Sequence, residues 1–337
     1  MTPLRPAQAG GAQAFVADLS LELTARGHDV VLFCAAGSEV PGVALSEVAV
    51  AAEIEAALVR PAGTTAERVS AVERAFAEAF TRVHAGAFDV VSQHGFDAEA
   101  IELADGLPVL HTLHLGPVAP GVVRAASAAD APLAVPSVAM RDAWREAGVE
   151  AEMVLRNGVP DFDPGAAVPG DYALIAGRIS PEKGTAEGIR AARAAGLRPL
   201  VIGSVYDLEY HRSAVAPLLG PGELLPVMRR ELLGGVMARA AATLMPIEWD
   251  EPYGLVAAEA QVAGCPVVAY ARGALPEVVE SGVGGLLVPA GDFDGFVAAI
   301  GVARALDRAA VRRSGRERLL IGPSAAAYEA ALAEVAA

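Results

Sequence analysis

Lysine is almost absent from this chain: of its 26 basic residues, 25 are arginine and one, Lys183, is lysine. Such a bias is typical of a GC-rich coding background, so a lysine retained against it is a candidate for a role that needs a compact ammonium group. Basic residues are also outnumbered by 41 acidic ones, which gives a net charge of −15. That balance disfavours a non-specific nucleic-acid binder.

Other scarce features disfavour further classes of protein. The only two cysteines, Cys34 and Cys265, lie in separate apolar segments. This disfavours a structural disulfide or a cysteine metal site and favours a reducing, cytoplasmic location. No apolar run reaches the roughly 18 residues of a transmembrane segment, and the first residues lack the apolar region of a signal peptide. What remains is the composition of a globular protein, 53% hydrophobic and 20% charged.

Apolar runs alternate with helical periodicity along most of the chain. This alternation predicts an α/β fold with parallel sheets that carry helices on both faces. The predicted strands are 29–35, 88–92, 109–113, 133–136, 153–156, 172–176, 199–202, 224–227, 242–246, 266–270 and 285–288. The clearest predicted helices are 12–26, 65–84, 182–195, 229–241 and 293–306.

The interval 158–171 holds three prolines and three glycines and has no helical or strand period. We therefore interpret it as a linker that divides the chain nearly in half. The predicted domains are 1–160 and 161–323, each doubly wound. A terminal helix, 324–337, has the length and the alanine and leucine content to pack across the domain boundary.

Lys183 follows a predicted strand and turn. Ser180 fits a helix N-cap and Pro181 the first helical position, which predicts Lys183 in the first helical turn. A cation there opposes the helix dipole, which favours anions at this end. A bound anion would reverse that sign, because backbone N–H groups, Arg178 and Lys183 could all face one diphosphate. The alternative is a solvated arginine and lysine beside a turn.

Two carboxylates eight residues apart flank the start of the next predicted helix, 255–263. Glu251 precedes this helix, Glu259 lies on it, and Gly254 permits a close approach of the backbone to a ligand. The carboxylates can accept hydrogen bonds from sugar hydroxyls, and the helix N-terminus can donate to a phosphate. The alternative is an ordinary capping glutamate and a second glutamate on a solvated face.

Four motifs in the second half resemble one enzyme family. They are Gly177-Arg-x4-Lys-Gly, Glu251-Pro-Tyr-Gly-Leu-x3-Glu-Ala, Gly264-Cys-Pro-Val-Val-Ala and Gly273-Ala-Leu-Pro-Glu-Val-Val. The pattern resembles the GT4-type family of retaining glycosyltransferases, most specifically over 173–288 and more weakly from residue 10 onward. The resemblance implies the GT-B fold, in which two doubly wound Rossmann-like domains face each other across a cleft.

The resemblance also implies a role for each matching residue of the second half, the donor-binding domain. Arg178 and Lys183 take the positions that bind the donor diphosphate, Glu259 the position that binds the nucleotide ribose, and Glu251 the catalytic position beside the donor sugar. Base recognition is expected near 225–228. Backbone contacts to sugar and phosphate are expected from Tyr253, Gly254, Leu255 and Val256, with tyrosine at 253 where phenylalanine is common.

The first half, expected on the acceptor side, resembles the family in outline. Gly10 and Gly11 precede a predicted helix, where the family has glycines near the donor phosphates. His114 follows a predicted strand and matches a family histidine close to the transferred sugar, so it is a second catalytic candidate. His94, also at a strand end, is a weaker one. A histidine in such a place is often purely structural.

One departure from the family concerns the beginning of the chain. The family opens with a short apolar strand, central in the first sheet, before the glycine pair. Here nine residues precede Gly10, and Pro3 and Pro6 are unsuited to a central strand. Either the start of the sequence is truncated or misassigned, or the first domain is reduced by this strand, which would affect acceptor binding and stability.

No metal or resident cofactor is expected. The D-x-D patterns Asp161-Phe-Asp163 and Asp292-Phe-Asp294 lie beside proline or glycine, and the second fits a helix cap. Arg178, Lys183 and a helix dipole would stabilise a leaving diphosphate without a divalent ion. No Gly-x-Gly-x-x-Gly opens a strand–helix unit, which disfavours a nicotinamide dehydrogenase.

The predicted function is a metal-independent, retaining transfer of a sugar from a nucleoside diphosphate donor to an acceptor hydroxyl. The acceptor is a small molecule, a glycan or a lipid-linked acceptor. Two alternatives stay open at this point. One is a GT-B sugar-nucleotide epimerase or a phosphorylase-like enzyme, and the other is a non-catalytic protein that binds nucleotide sugars.

Overall fold

A computed structural model describes residues 3–7, 10–50, 66–161, 165 and 167–337. Strands alternate with helices along most of the described chain, as the sequence predicts. The strands are β1 Val31–Ala35, β2 Ala44–Val48, β3 Val91–Gln93, β4 Val109–Thr112, β5 Leu133–Val135, β6 Met153–Val154, β7 Tyr172–Ala176, β8 Arg198–Ile202, β9 Leu224–Leu225, β10 Ala242–Met245, β11 Val267–Tyr270 and β12 Gly285–Val288.

Most of the helices lie between consecutive strands. They are Gly11–Ala25, Ala66–Ala85, Ala98–Glu102, Pro120–Ala128, Val138–Glu146, Thr185–Ala194, Leu208–Tyr210, Arg230–Arg239, Leu255–Val262, Leu275–Val278, Phe293–Ala303, Arg308–Leu319 and Ile321–Ala336. Shorter helical turns occupy Pro181–Lys183, His211–Val215 and Ala216–Leu218. Within the described ranges, no helix is long and apolar enough to cross a membrane.

The chain forms two compact units that interleave in sequence. The first comprises Met1–Arg5, Ala12–Asn157 and Gly322–Ala337, and the second comprises Pro6–Gly11 and Gly158–Ile321. The terminal helix Ile321–Ala336 thus lies almost entirely within the first unit, although it follows the second in sequence.

The second unit is built on a six-stranded parallel sheet in the order β12-β11-β10-β7-β8-β9. All four residues of β10 and all four of β11 are buried. This continuous burial is expected where helices cover both faces of a parallel sheet. Its core joins β7 and β8 to the helices Thr185–Ala194 and Phe293–Ala303 through residues such as Ile175, Ile189, Val201, Phe296 and Ile300.

The sheet of the first unit is divided in the described part of the chain. β1 and β2 form a parallel pair, and β3-β4-β5-β6 form a separate parallel sheet. Leu4 is buried against Cys34 and Val40 beside the β1–β2 pair rather than in a strand of its own.

Two local expectations differ from the structure. The sequence does not predict β2, because Ser46 and Glu47 interrupt its apolar character. The helix predicted at 182–195 is wrong at its start: a 3₁₀ turn, Pro181–Lys183, ends at Gly184, and the α-helix begins at Thr185. Gly184 has a φ of 64° and stops the 3₁₀ turn in a conformation that glycine adopts readily.

Candidate active site

The predicted second-unit residues gather at one edge of the six-stranded sheet. β7 pairs with β8 on one side and with β10 on the other. The chain moves outward from β7 in both directions, so β7 lies at the topological switch point. Ligands of open α/β sheets bind at the carboxyl ends of the strands at such a point. Arg178 and Lys183 follow β7, and Glu251 follows β10.

Lys183 and Glu251 are bonded directly to each other. The Lys183 Nζ donates to Glu251 Oε2 over 2.6 Å. The indole Nε1 of Trp249 donates to the same oxygen, also over 2.6 Å. The ammonium group additionally lies 4.9 Å from the centroid of the Trp249 ring. Side-chain exposures of 19% for Lys183 and 12% for Glu251 make this a largely desolvated charge pair.

This geometry corrects one step of the sequence argument for Lys183. Lys183 is not in the first turn of an α-helix, so its ammonium does not oppose that helix dipole as predicted. The Ser180 hydroxyl donates to Glu182 Oε1 and makes no capping bond. A carboxylate, Glu251, compensates the charge of Lys183 in this structure.

The backbone at Glu251 is fixed by the turn after β11. Ala274 N donates to Glu251 O over 2.8 Å. A Cβ on Gly273 would lie 2.3 Å from Glu251 N and 2.4 Å from Glu251 O, so only glycine fits there. Glu251 precedes the helix Leu255–Val262, as predicted, and Gly254 caps that helix with a φ of 95°.

Glu259 has a partner that the sequence argument missed. It is buried on the helix Leu255–Val262, and its Oε1 accepts from Arg230 Nε at 2.7 Å. Arg230 begins the helix Arg230–Arg239, which follows β9. The side chains are 15% and 10% exposed. The sequence signal that could have indicated this partner is the arginine pair, Arg229 and Arg230, just after the 225–228 segment expected to contact the nucleotide base.

Arg178 lies in the turn after β7, with its side chain 31% exposed. Its guanidinium carbon is 4.8 Å from the centroid of the Tyr206 ring, and an Nη2 is 3.8 Å from Glu182 Oε1. Stacking on an aromatic ring orients the guanidinium plane while its N–H groups stay available as donors.

The remaining predicted second-unit residues surround the start of the helix Leu255–Val262. Tyr253 and Leu255 are buried, and Val256 is half-buried. Gly10 and Gly11 belong to the Pro6–Gly11 segment of this unit, and a Cβ on Gly11 would lie 3.2 Å from Leu255 Cδ1. Gly11, one of the two predicted phosphate glycines, therefore lies beside Leu255, one of the predicted backbone contacts. The 225–228 segment begins at the last residue of β9 and is partly exposed.

The two histidines of the first unit form a stacked pair. His94 follows β3 and His114 follows the neighbouring strand β4. Their ring centroids are 5.1 Å apart, and His94 Nδ1 lies 2.8 Å from His114 Nε2, so one nitrogen donates and the other accepts. Phe15 packs edge-on against both rings. The Ser92 hydroxyl bonds His94 Nε2 at 2.9 Å.

Burial keeps both imidazoles neutral at pH 7. It lowers the pKa of His114 to about 4 and, together with the neighbouring His114, holds the pKa of His94 well below its usual value. Neutral rings fit the stacked geometry, since two adjacent positive charges would repel each other. This pair can exchange or share a proton but brings no charge to a ligand.

The D-x-D patterns have local explanations where the structure describes them. Asp161 pairs with Arg316 at 2.5 Å, and Asp163 lies outside the described residues. Asp292 caps a helix, as predicted, by accepting from Gly295 N. In the described part of the chain, no group of three or more His, Cys, Asp or Glu is placed to hold a metal ion.

Comparison with known proteins is consistent with this geometry. Residues 171–304 match the family described as glycosyl transferases group 1, and residues 9–161 match glycosyltransferase family 4. A D-inositol 3-phosphate glycosyltransferase of Mycolicibacterium smegmatis is 30% identical over an alignment 366 positions long with gaps, which covers 92% of this chain and 82% of that protein.

Solved structures share the fold along nearly the whole chain. Sucrose-phosphate synthase from Thermosynechococcus elongatus has a TM-score of 0.78 at 18% identity, over 99% of this chain and 97% of its own. Anabaena HepE, solved with UDP and glucose, has a TM-score of 0.73 at 18% identity, over 99% and 98%. The fold is GT-B, with two Rossmann-like domains. The chain belongs to the GT4-type family of retaining glycosyltransferases.

Proposed function

We propose that this protein transfers a sugar from a nucleoside diphosphate donor to an acceptor hydroxyl, with retention at the anomeric carbon and without a metal ion. The bond between the anomeric carbon and the diphosphate oxygen breaks, and a bond from that carbon to the acceptor oxygen forms. The nucleoside diphosphate leaves, and the proton of the acceptor hydroxyl passes to the departing diphosphate or to solvent.

The meeting of Lys183, Glu251 and Trp249 at the carboxyl edge of β7 and β10 carries this proposal. Distant segments bring an ammonium and a carboxylate to the switch point of the sheet, where α/β proteins bind ligands. Pairing them in a largely desolvated place is costly unless geometry and hydrogen bonds are good. A desolvated ion pair at a ligand-binding edge of the sheet is therefore a candidate for a catalytic site.

Each charged group has a distinct proposed task. Lys183 and Arg178 stabilise the negative charge that develops on the leaving diphosphate. Glu251 stabilises the positive charge that develops on the sugar ring. Glu259, already oriented by Arg230, accepts hydrogen bonds from the ribose hydroxyls. His114, in the first unit, is proposed to act as a neutral hydrogen-bonding group.

The donor and acceptor classes guide the choice of probes. HepE was solved with UDP and with UDP-glucose, so UDP and UDP-glucose are the first donor probes. The M. smegmatis relative is named for D-inositol 3-phosphate, which makes this polyol phosphate the first acceptor probe. The two free cysteines, both buried, fit action in the reducing cytoplasm.

The decisive test has two stages. A thermal-shift panel of UDP, GDP, ADP and their sugars identifies the donor, because a ligand of the native state raises the melting temperature. The protein is then incubated with that donor, with and without acceptors, and products are identified by NMR. Acceptor-dependent release of the nucleoside diphosphate with an unchanged anomeric configuration is expected. Donor isomerisation without acceptor would support an epimerase, and binding without any turnover would support a non-catalytic protein.

A further inference from the structure

Trp249 occupies a central place in the charge pair of the second unit. It lies in the loop after β10, two residues before Glu251, and is only partly exposed. Its indole Nε1 donates to Glu251 Oε2, and its ring lies under the Lys183 ammonium at 4.9 Å. One side chain therefore contacts both charged groups, through two different parts of the indole.

The two contacts respond differently to a bound anion. Lys183 carries a full charge and three N–H donors, so a diphosphate competes with Glu251 for it. The indole N–H carries no net charge and is a donor only, so it is far less attracted to a diphosphate. The ring face also favours an ammonium that moves across it, because cation–π attraction tolerates a range of positions.

We propose that Trp249 is a positioning residue that keeps Glu251 oriented while Lys183 engages the donor diphosphate. This inference rests on the proposed function. When the Lys183 ammonium turns toward the diphosphate, the Trp249 indole N–H still donates to Glu251 Oε2. The carboxylate therefore keeps its orientation when the lysine moves. The backbone of Glu251 is fixed independently by Ala274 N, which leaves the side-chain torsions as the freedom that Trp249 removes.

The kinetic test compares Trp249→Phe with Trp249→Ala in the full chain. Trp249→Phe keeps a ring under Lys183 and deletes only the N–H. We expect its affinity for UDP, measured by calorimetry, to stay within about twofold of wild type, while kcat for transfer from UDP-glucose falls about tenfold or more. Trp249→Ala removes the ring as well, so UDP affinity should fall too. In the double variant Trp249→Phe/Glu251→Gln, kcat should be less than about twofold lower than in Glu251→Gln alone, because Trp249 acts through Glu251.

A spectroscopic test is independent of turnover. The chain has two tryptophans, so a ¹H–¹⁵N correlation NMR spectrum shows two indole N–H signals. The signal that disappears in Trp249→Phe is that of Trp249. The signal of Trp249 should lie downfield, stay downfield when UDP is added, and move upfield in Glu251→Gln. Loss of the downfield shift on addition of UDP would overturn the inference.

The outcomes separate this inference from the function on which it rests. Unchanged kcat in Trp249→Phe, or equal losses of kcat and UDP affinity, would overturn the positioning role. If wild type binds UDP but transfers no sugar, the proposed function fails, and the NMR signal still decides whether Trp249 holds Glu251. Circular dichroism and melting curves identify any variant that fails to fold, and Trp249→His, which restores a ring N–H donor, should recover part of kcat if the inference holds.

Discussion

Two regions of the molecule hold ionisable side chains that follow neighbouring strands. One region keeps opposite charges in ion pairs, and the other keeps its side chains neutral. In the second unit, Lys183 and Arg230 form ion pairs with Glu251 and Glu259. In the first unit, His94 and His114 stack on each other, and burial lowers the pKa of both.

The difference follows from the available partners. A buried charge needs an opposite charge or several hydrogen bonds, and a group without them becomes neutral instead. Lysine and arginine stay charged at pH 7 and need carboxylates, whereas histidine can lose its proton at little cost. The second unit therefore holds ion pairs where the proposal places an anionic ligand, whereas the histidine pair of the first unit is neutral. Four experiments test this contrast.

Glu251→Gln should have the largest effect. The change keeps the shape of the side chain and removes its charge, so kcat should fall about 100- to 1,000-fold while the affinity for UDP changes only a few-fold. Steady-state kinetics and calorimetry separate the two quantities. Glu248→Gln, in the same loop but exposed, is the matched control and should behave like wild type. A similar loss in both variants would contradict a special role for Glu251.

Arg230→Ala should destabilise the second unit. It leaves the buried Glu259 carboxylate without its guanidinium partner, which costs about 3 kcal/mol in pairs of this kind. Urea unfolding measures the loss. Arg229→Ala removes the neighbouring arginine, whose side chain is 64% exposed, and should change stability very little. Equal effects of the two substitutions would show that the Arg230–Glu259 pair is not a desolvated one.

Lys183→Ala should weaken the binding of UDP about 10- to 100-fold, because it removes a charge-assisted contact to the diphosphate. Calorimetry with UDP measures this directly. Arg190→Ala removes one positive charge from an exposed site on the helix that follows, and it controls for the change in net charge. Unchanged UDP affinity in Lys183→Ala would remove the diphosphate site from the proposal.

Acidification should destabilise the histidine region. Burial lowers the pKa of His111 and of His114 to about 4. Between the usual pKa near 6.5 and that value, the unfolded chain binds more protons than the folded one, so stability falls as pH falls. Each such histidine contributes up to about 1.4 kcal/mol per pH unit in this window.

Melting temperatures at pH 7.5, 6.5 and 5.5 test this prediction. His111→Asn removes one of the titrating groups, so its melting temperature should depend less steeply on pH than that of wild type. An identical pH dependence would mean that His111 is protonated in the folded protein or is not buried as described.

The sequence predicts much of the fold because its signals are local. β7 and β12 lie where their apolar runs place them, and Glu251 precedes its helix because Gly254 marks the helix start. The start of the helix after Lys183 was mispredicted because helical periodicity continues across Gly184, whose left-handed φ interrupts the backbone but not the pattern. Separate sequence motifs also predict Lys183 and Glu251 as candidate site residues.

What the sequence does not predict are the contacts made across the fold. The bond between Lys183 and Glu251 joins residues 68 positions apart, and it depends on β7 and β10 being neighbours. Arg230 reaches Glu259 across 29 positions from the helix after β9. Trp249 lies close to Glu251 in sequence, but its role depends on the ammonium above its ring.

The chain leaves the first unit at Asn157 and returns to it at Gly322. Within the second unit, Ile321 N donates to Val159 O at 2.8 Å, so the two ends of this long segment are side by side. Within the first unit, Ser324 Oγ donates to Arg156 O at 2.6 Å. The main segment of the second unit, Gly158–Ile321, is thus an insertion with adjoining ends, and exchanging this segment for that of another transferase requires two matched splice points. A single exchange point at the linker 158–171 would replace the helix Ile321–Ala336 as well, although this helix belongs to the first unit.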